Sequence, residues 1–311
     1  MSAFLGIDTS NYTTSVALFD SEANTIIQSK KLLPVKAGEL GLRQSDAVFA
    51  HVKQLGDMVQ NVFAEYGGKI TAIGVSTRPR DIDGSYMPCF LVGEMAANCL
   101  GAALKVPVLP FAHQQGHVAA ALYSAGRLDL FRERFIAFHL SGGTTEALLV
   151  EPSAERIIRC TKIGGSMDLK AGQAVDRIGV MLGLPFPAGK YLEELALKSD
   201  RKFKIKPVMK GTECCLSGIE NKCRKMLENG EKPEDTALFC LKSVEAALCG
   251  MTDATLSEYG KLPLVYAGGV MSNCIIRNTI ENKYGGIFAK PEFSSDNAAG
   301  IAVLAAEAYK R

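Results

Sequence analysis

Residues 3–20, AFLGIDTSNYTTSVALFD, run apolar, bend through Ser, Asn and Thr, and run apolar again, which is the pattern of a β-hairpin. Residues 136–151, IAFHLSGGTTEALLVE, repeat that pattern. The two stretches align without a gap: Ser10 falls on Ser141, Thr13 on Thr144, Thr14 on Thr145 and Leu18 on Leu149, each pair 131 residues apart. Because each hairpin opens one half of the chain, the match points to an internal duplication. Behind the first hairpin the spacing predicts a strand at 24–32 and a helix at 46–66. The apolar side of that helix is Val48, Val52, Leu55, Val59, Val62 and Phe63, and Gly67-Gly68 stops it. A strand at 70–76, a helix at 89–104, a strand at 106–109 and a helix at 113–123 behind Pro110 follow. The second half adds helices at 169–182, 191–197 and 232–259, a strand at 263–267 and a last helix at 296–309. This is an α/β layer architecture. Its lobes are expected at 1–133 and 134–311, the final helix returning toward the first lobe.

Turns of small residues aim successive backbone N–H groups at one point and bind anions. Ser10–Thr14 and Ser141–Thr145 are therefore candidate phosphate cradles, with a nucleotide expected between the lobes; ordinary hairpin turns are the alternative.

Composition narrows the class. A hydrophobic share of 47% with 22% charged residues is that of a globular chain, and a net charge of +2 argues against binding nucleic acid by bulk charge alone. No apolar run reaches the roughly 18–20 residues of a membrane span, and MSAFLGIDTS does not read as a secretion leader. The nine cysteines form no CxxC pair, as expected of reduced thiols in the cytoplasm.

His113-Gln-Gln-Gly-His117 carries the sharpest chemical signal. Two of only four histidines stand four apart, so on a helix both imidazoles reach one ion; two hydrogen-bonded histidines are the alternative. A zinc peptidase needs a Glu directly after the first His, and Gln114, which accepts no proton at neutral pH, occupies that position. Gly268-Gly269 after the strand lets a flat ligand lie against the backbone, and Asn273 offers both a donor and an acceptor, although a plain loop satisfies the same pattern. Asp296-Asn297 suits an N-cap, a metal ligand or both. Asp176 and Glu193 flank the Gly183–Gly189 loop and are surface acids unless buried against a partner.

In order, these segments resemble the TsaD family, once labelled glycoproteases. IDTSNYTTSVALFD is similar to its ETS hairpin, the stretch ending in HQQGH to its HxxGH helix, and LSGGTTEALLV to its SGGHT strand. GGSMDLKAGQAVDRIGVMLGLPFPAGKYLEELA, YAGGVMSNCIIR and SSDNAAGIAVLA resemble further family segments, so the likeness runs nearly the full length. It implies the actin-like ATPase fold of sugar kinases and actin, built from two duplicated ribonuclease-H-like lobes. It also implies one iron or zinc ion on His113, His117 and Asp296, and an ATP- or AMP-type adenylate. Ser141, Gly142 and Gly143 would hold the phosphate or acyl end, and Ser10 and Thr144 complete the paired cradles. Asp176, Gly189 and Glu193 would face ribose and adenine, with Asn273 opposite beside Gly268 and Gly269. The implied reaction moves threonylcarbamoyl from its AMP anhydride to the adenosine beside the tRNA anticodon. Expected partners are threonylcarbamoyl-AMP or a related adenylate, tRNA, and TsaB- or TsaE-like proteins or a second copy of the chain, with no membrane.

The chain departs from the family pattern at several substrate-facing places. Tyr12 and Thr13 replace an acidic pair, Thr144 a His, Gly165 and Gln173 two Glu residues, and Glu220 a Lys. These changes suit a diverged paralogue. They leave open a carbamoyl-type transferase with another acceptor, or a non-catalytic partner in a TsaD-type complex. Residues 201–210, RKFKIKPVMK, are the best basic stretch for tRNA, a solvated loop being the alternative.

Overall fold

A computed structural model describes residues 2–10, 12–34 and 42–311; Asn11, in the predicted first bend, lies outside them. Five strands and three helices come first: β1 (Ala3–Ser10), β2 (Thr13–Asp20), β3 (Thr25–Leu32), α1 (Gln44–Glu65), β4 (Ile70–Arg78), α2 (Phe90–Leu104), β5 (Val108–Ala112) and α3 (His113–Ser124). Then follow β6 (Phe135–Leu140), β7 (Thr145–Ser153), β8 (Ile157–Ser166), α4 (Ala171–Met181), α5 (Gly189–Ala196), β9 (Val208–Lys210), β10 (Glu213–Cys215) and α6 (Gly218–Glu228). The chain closes with α7 (Pro233–Tyr259), β11 (Leu264–Ala267), α8 (Cys274–Tyr284), β12 (Ile287–Phe288) and α9 (Ala299–Tyr309).

Two sheets carry these strands, in the orders β3-β2-β1-β4-β5 and β12-β11-β6-β7-β8-β10-β9. Within the second, β8-β7-β6-β11-β12 repeats the order of the first, with β10 and β9 added at the edge. The pairing repeats as well. β1 runs antiparallel to β2 and parallel to β4, just as β6 runs antiparallel to β7 and parallel to β11. Leu5 faces Leu18 and Thr9 faces Thr14 in the first hairpin; Ile136 faces Leu149 and Leu140 faces Thr145 in the second. The shift of 131 seen in the sequence is thus preserved in strand register. This duplicated α/β architecture is the actin-like ATPase fold.

Compact packing groups Met1–Glu133, Glu151–Cys160 and Glu292–Arg311 in one unit, and Arg134–Val150 with Thr161–Pro291 in another. This grouping differs from a continuous 134–311 lobe at residues 151–160 and 292–311, and α9 lies with the first unit as a helix returning to that lobe does. Period-two alternation explains how β1 receives it. Leu5 and Ile7 on one face join a core with Leu55, Met58 and Val62 of α1 and Val92 of α2. Gly6, on the other face, lies so close to α9 that a Cβ there would stand 2.6 Å from the Ala302 nitrogen. At Gly74 of β4 a Cβ would stand 2.6 Å from the Ile301 carbonyl oxygen, and at Gly300 it would run into the Gly116 carbonyl of α3. Residues 299–306 are accordingly all buried, as a helix apolar on every side requires. In the second unit α7 supplies the core, with Leu241, Val244, Leu248 and Met251 packed among Phe138, Val175, Leu192 and Tyr266. Phe138, Tyr266 and Phe288 stack across β6, β11 and β12 with centroids 5.1 and 5.2 Å apart.

Other expectations shift locally. The strand placed at 106–109 is β5 and passes through Pro110, which an edge strand tolerates because it needs no ladder N–H there. The buried stripe of α1 is Ala47, Ala50, His51, Leu55, Met58 and Val62, whereas Val52 is exposed. The last helix starts at Ala299, leaving Asp296 in the preceding loop. Among the described residues, no helix is long and apolar enough to cross a membrane.

Glycine substitutions test this packing. Gly300→Ala should lose about 1–3 kcal/mol through overpacking against α3. Gly56→Ala, on the open side of α1 with nothing within 4 Å, should gain about 0.5–1 kcal/mol. Urea-unfolding midpoints measure both.

Candidate functional site

His113 is the first residue of α3, and the loop before α9 delivers Asp296 to it. The turn into α3 is fixed by Gln115, whose Oε1 accepts from the Ala112 N–H at 2.8 Å while its Nε2 donates to the Ile158 carbonyl at 2.6 Å. One helical turn on, His117 lies over His113, their Nε2 atoms 2.9 Å apart. Asp296 Oδ1 stands 3.2 Å from His117 Nε2 and 3.6 Å from His113 Nε2. One ligand atom from each of the three side chains lies within 4.8 Å of the others. Ligands about 2.1 Å from a common ion and roughly 90–110° apart are about 3.0–3.4 Å from each other, so the observed spacings are of the kind one ion requires. Two imidazole nitrogens and a carboxylate suit a divalent transition metal, and the residues present fit such a group.

Two of the three side chains, His113 and Asp296, have a further support outside the cluster. His113 Nδ1 lies 2.9 Å from Oδ1 of Asp8, a fully buried carboxylate on the same face of β1 as Gly6. The Thr13 hydroxyl donates to Asp296 Oδ2 at 3.4 Å. Thr13, where the family pattern has an acid, therefore faces Asp296 with a donor. Burial works against charge on His113, but Asp8 and Asp296 outweigh it and push its pKa up to about 10. Burial likewise opposes ionisation of Asp296, yet hydrogen bonds and charge from the two imidazoles hold it well below the usual carboxylate range. A bound cation would take the place of the His113 proton.

The first hairpin turn is pinned from α1. His51, wholly buried, has Nε2 at 2.9 Å from the Ser10 carbonyl and Nδ1 at 2.8 Å from the Thr14 hydroxyl, and burial lowers its pKa. Ser10 Oγ is buried and has no partner among the described residues. Gln114, at the position of a peptidase's Glu, is also buried.

In the second unit three loops meet where β6 and β11 end. The Ser141 N–H donates to the Thr144 carbonyl at 2.8 Å, and the Gly172 N–H to the Ser141 carbonyl at 3.1 Å. Gly268, at φ 96°, lies against the Leu140 carbonyl, and a Cβ on Gly172 would stand 2.6 Å from the Gly142 nitrogen. Packing demands those two glycines. It does not demand Gly142, Gly143, Gly189 or Gly269, where a Cβ would meet no atom within 4 Å. That open backbone fits a flat or anionic ligand such as an adenylate. The acids expected at the ribose have structural bonds. Asp176 Oδ1 accepts from the Ala188 N–H at 2.8 Å, tying α4 to the loop before α5, and burial pushes its pKa up. Glu193 Oε1 accepts from the Cys274 N–H at 2.6 Å, and Asn273 Oδ1 from the Ile276 N–H at 3.1 Å, so both cap α8. Glu220 sits between Arg177 and Arg224, at 3.0 and 3.1 Å. At Gly165, where the family pattern has a Glu, a Cβ would stand 2.6 Å from the Thr145 carbonyl.

The family model of TsaD, described as tRNA N6-adenosine threonylcarbamoyltransferase, matches residues 24–303. A tRNA N6-adenosine threonylcarbamoyltransferase of Archaeoglobus fulgidus is 25% identical over 98% of this chain and 91% of its own length. A probable bifunctional tRNA threonylcarbamoyladenosine biosynthesis protein of Methanothermobacter thermautotrophicus is also 25% identical, and the chain spans 56% of that relative's length. Among solved structures, full-length HypF in its phosphate- and nucleotide-bound form superposes with a TM-score of 0.60 at 12% identity, over 99% of this chain and 46% of that one. A ROK family glucokinase from Streptomyces griseus, in complex with glucose and AMPPNP, gives 0.55 at 14% identity over 98% and 99%.

The His113 shift fixes a pH dependence. Its folded pKa lies above the unfolded value of about 6.5, so its contribution to the metal-free fold is complete below pH 6.5 and disappears as pH rises through about 10. In chelator-treated protein, stability of the parent should fall between pH 7 and 10 more steeply than that of His113→Gln. Parallel urea series across that range measure the difference.

Proposed function

Since the chain belongs to the TsaD family, we propose that it transfers a threonylcarbamoyl group from its AMP anhydride to the adenosine beside the tRNA anticodon, with a metal ion held by His113, His117 and Asp296. The observation that carries this reading is the meeting of those three side chains, two from α3 and one from a loop far along the chain, with ligand atoms within 4.8 Å. When bound, the ion supplies Lewis-acid polarisation of a carbamoyl or phosphoryl oxygen.

The remaining work falls to the chain. Gly142 and Gly143 leave the β6–β7 turn open, so its backbone can approach an anionic phosphate closely and stabilise the AMP leaving group. Gly189 and Gly269 give a flat base the same access. Asp176, Glu193 and Asn273 act from behind, holding the Gly183–Gly189 loop and the start of α8 in place. Acceptor placement then comes from docking of the tRNA. Lys202, Lys204 and Lys206 are exposed, alternating with half-buried Phe203, Ile205 and Pro207, and suit a phosphate backbone. Arg201 is already engaged by Glu231 and Asp235.

One observation favours a second acceptor class. Glu220, where the family pattern has a Lys, is neutralised by Arg177 and Arg224, which removes a cation from that surface. A carbamoyl-type transfer to a smaller acceptor fits that change.

Incubation with threonine, bicarbonate, ATP, the adenylate-forming enzyme and unmodified tRNA decides between the two. Nucleoside mass analysis should find threonylcarbamoyladenosine, and tRNA affinity should fall about 20–40-fold between 50 and 200 mM salt, the change that three lysine–phosphate contacts give. Turnover of the adenylate with no modified nucleoside and a flat salt response would instead favour the small acceptor.

A further inference from the structure

Asp8 has no assigned part in the reaction, yet its surroundings are unlike those of a carboxylate placed for local structure. It is fully buried on β1. Oδ1 lies 2.9 Å from His113 Nδ1 and also accepts a hydrogen bond from the Ser76 hydroxyl of β4. Oδ2 is buried and has no partner among the described residues. Asp168 shows the contrast. Its oxygens accept the Leu169 and Leu216 N–H groups at 2.6 and 2.7 Å and the Ser217 hydroxyl at 2.5 Å, so it shapes the chain around itself. Asp8 receives no backbone donor at all in its side-chain bonds; a hydroxyl and an imidazole are what it holds.

We propose that Asp8 is the positioning residue of the metal centre: by accepting from Nδ1 of His113 it selects the tautomer whose Nε2 lone pair faces His117 and Asp296. An ionised carboxylate only accepts, and a neutral imidazole carries a single N–H. With Asp8 on Nδ1, that hydrogen is on Nδ1 and Nε2 is free to ligate. Ser76 donates to the same oxygen, Oδ1, and so fixes the carboxylate against β4, and Gly6, two residues earlier on the same face, lets α9 approach closely enough to bring Asp296. The unpartnered oxygen is accounted for by the same role, since its charge is balanced by a cation beyond the imidazole and not by a hydrogen bond. Carboxylate–histidine pairs of this kind raise ligand basicity, and their loss weakens metal binding about 10–100-fold.

The inference rests on the reading of His113, His117 and Asp296 as metal ligands, and the test separates the two. Full-length, chelator-treated protein is titrated with cobalt(II), following its visible absorption, in the parent, Asp8→Asn and Ser76→Ala forms. Asn keeps the size of Asp but presents an amide that can donate to Nδ1 and force the ring hydrogen onto Nε2. Cobalt affinity should fall about 10–100-fold in Asp8→Asn and by a smaller factor in Ser76→Ala, with altered band intensities and an unchanged far-ultraviolet circular dichroism spectrum. If Asp8→Asn fails to fold, the Ser76→Ala titration and the ring-nitrogen NMR shifts of His113 in the zinc-loaded parent, expected to show Nδ1 protonated, carry the test. Parental affinity and spectrum in both variants, or a ring protonated at Nε2, would overturn the role of Asp8. A parent that binds no cobalt would overturn the metal reading beneath it.

Discussion

The contact on which the site depends is backbone against backbone, between Gly300 of α9 and Gly116 of α3. Close-packed interiors have no slack for a methyl group at such a crossing. Gly6 of β1 and Gly74 of β4 repeat the arrangement on the sheet side, so α9 is seated against three neighbours through positions that lack side chains. Gly116 lies between the two candidate ligands on α3, and Asp296 lies four residues before Gly300. The crossing that fixes the helices therefore fixes the ligand spacing, and a carboxylate on a loop becomes as well placed as one on a helix.

Around that contact the fold uses one hairpin design for two purposes. In the first unit the turn region serves the candidate metal ligands: Thr13 donates to Asp296, Asp8 holds His113, and His51 locks the turn from α1. In the second unit the equivalent turn, Gly142-Gly143, presents open backbone. Elsewhere in that unit Asp176 Oδ1, Glu193 Oε1 and Asn273 Oδ1 accept from the backbone at a loop and at the start of α8.

Much of this is legible in the sequence because it repeats or is periodic. The duplicated hairpins give the pairing of β1 with β2 and of β6 with β7 in one shared register, and the four-residue spacing of His113 and His117 gives the shared face of α3. Asp296 was reached through resemblance, since nothing local in Ser-Ser-Asp-Asn distinguishes a ligand from a cap. What escaped was whatever depends on burial of polar groups. Asp8 reads as part of a polar bend until the alternation of β1 turns it inward. His51 reads as a polar residue on α1, while Val52 beside it, taken for core, is exposed. β8 does not stand out in the sequence because IIRCTKIGGS mixes charge with apolar residues, nor does α6, where Ile219, Cys223 and Met226 make a narrow stripe on an otherwise charged helix. The glycine contacts of α9 could not be read locally, as each pairs residues more than a hundred positions apart.

The most direct test of the central claim is anomalous diffraction from crystals soaked in zinc, with data collected above and below the metal's absorption edge. A single peak bonded to Nε2 of His113, Nε2 of His117 and an oxygen of Asp296, at about 2.0–2.2 Å each, is the predicted result. Metal elsewhere on the chain, with Asp296 and the two imidazoles still hydrogen-bonded to one another, would contradict it.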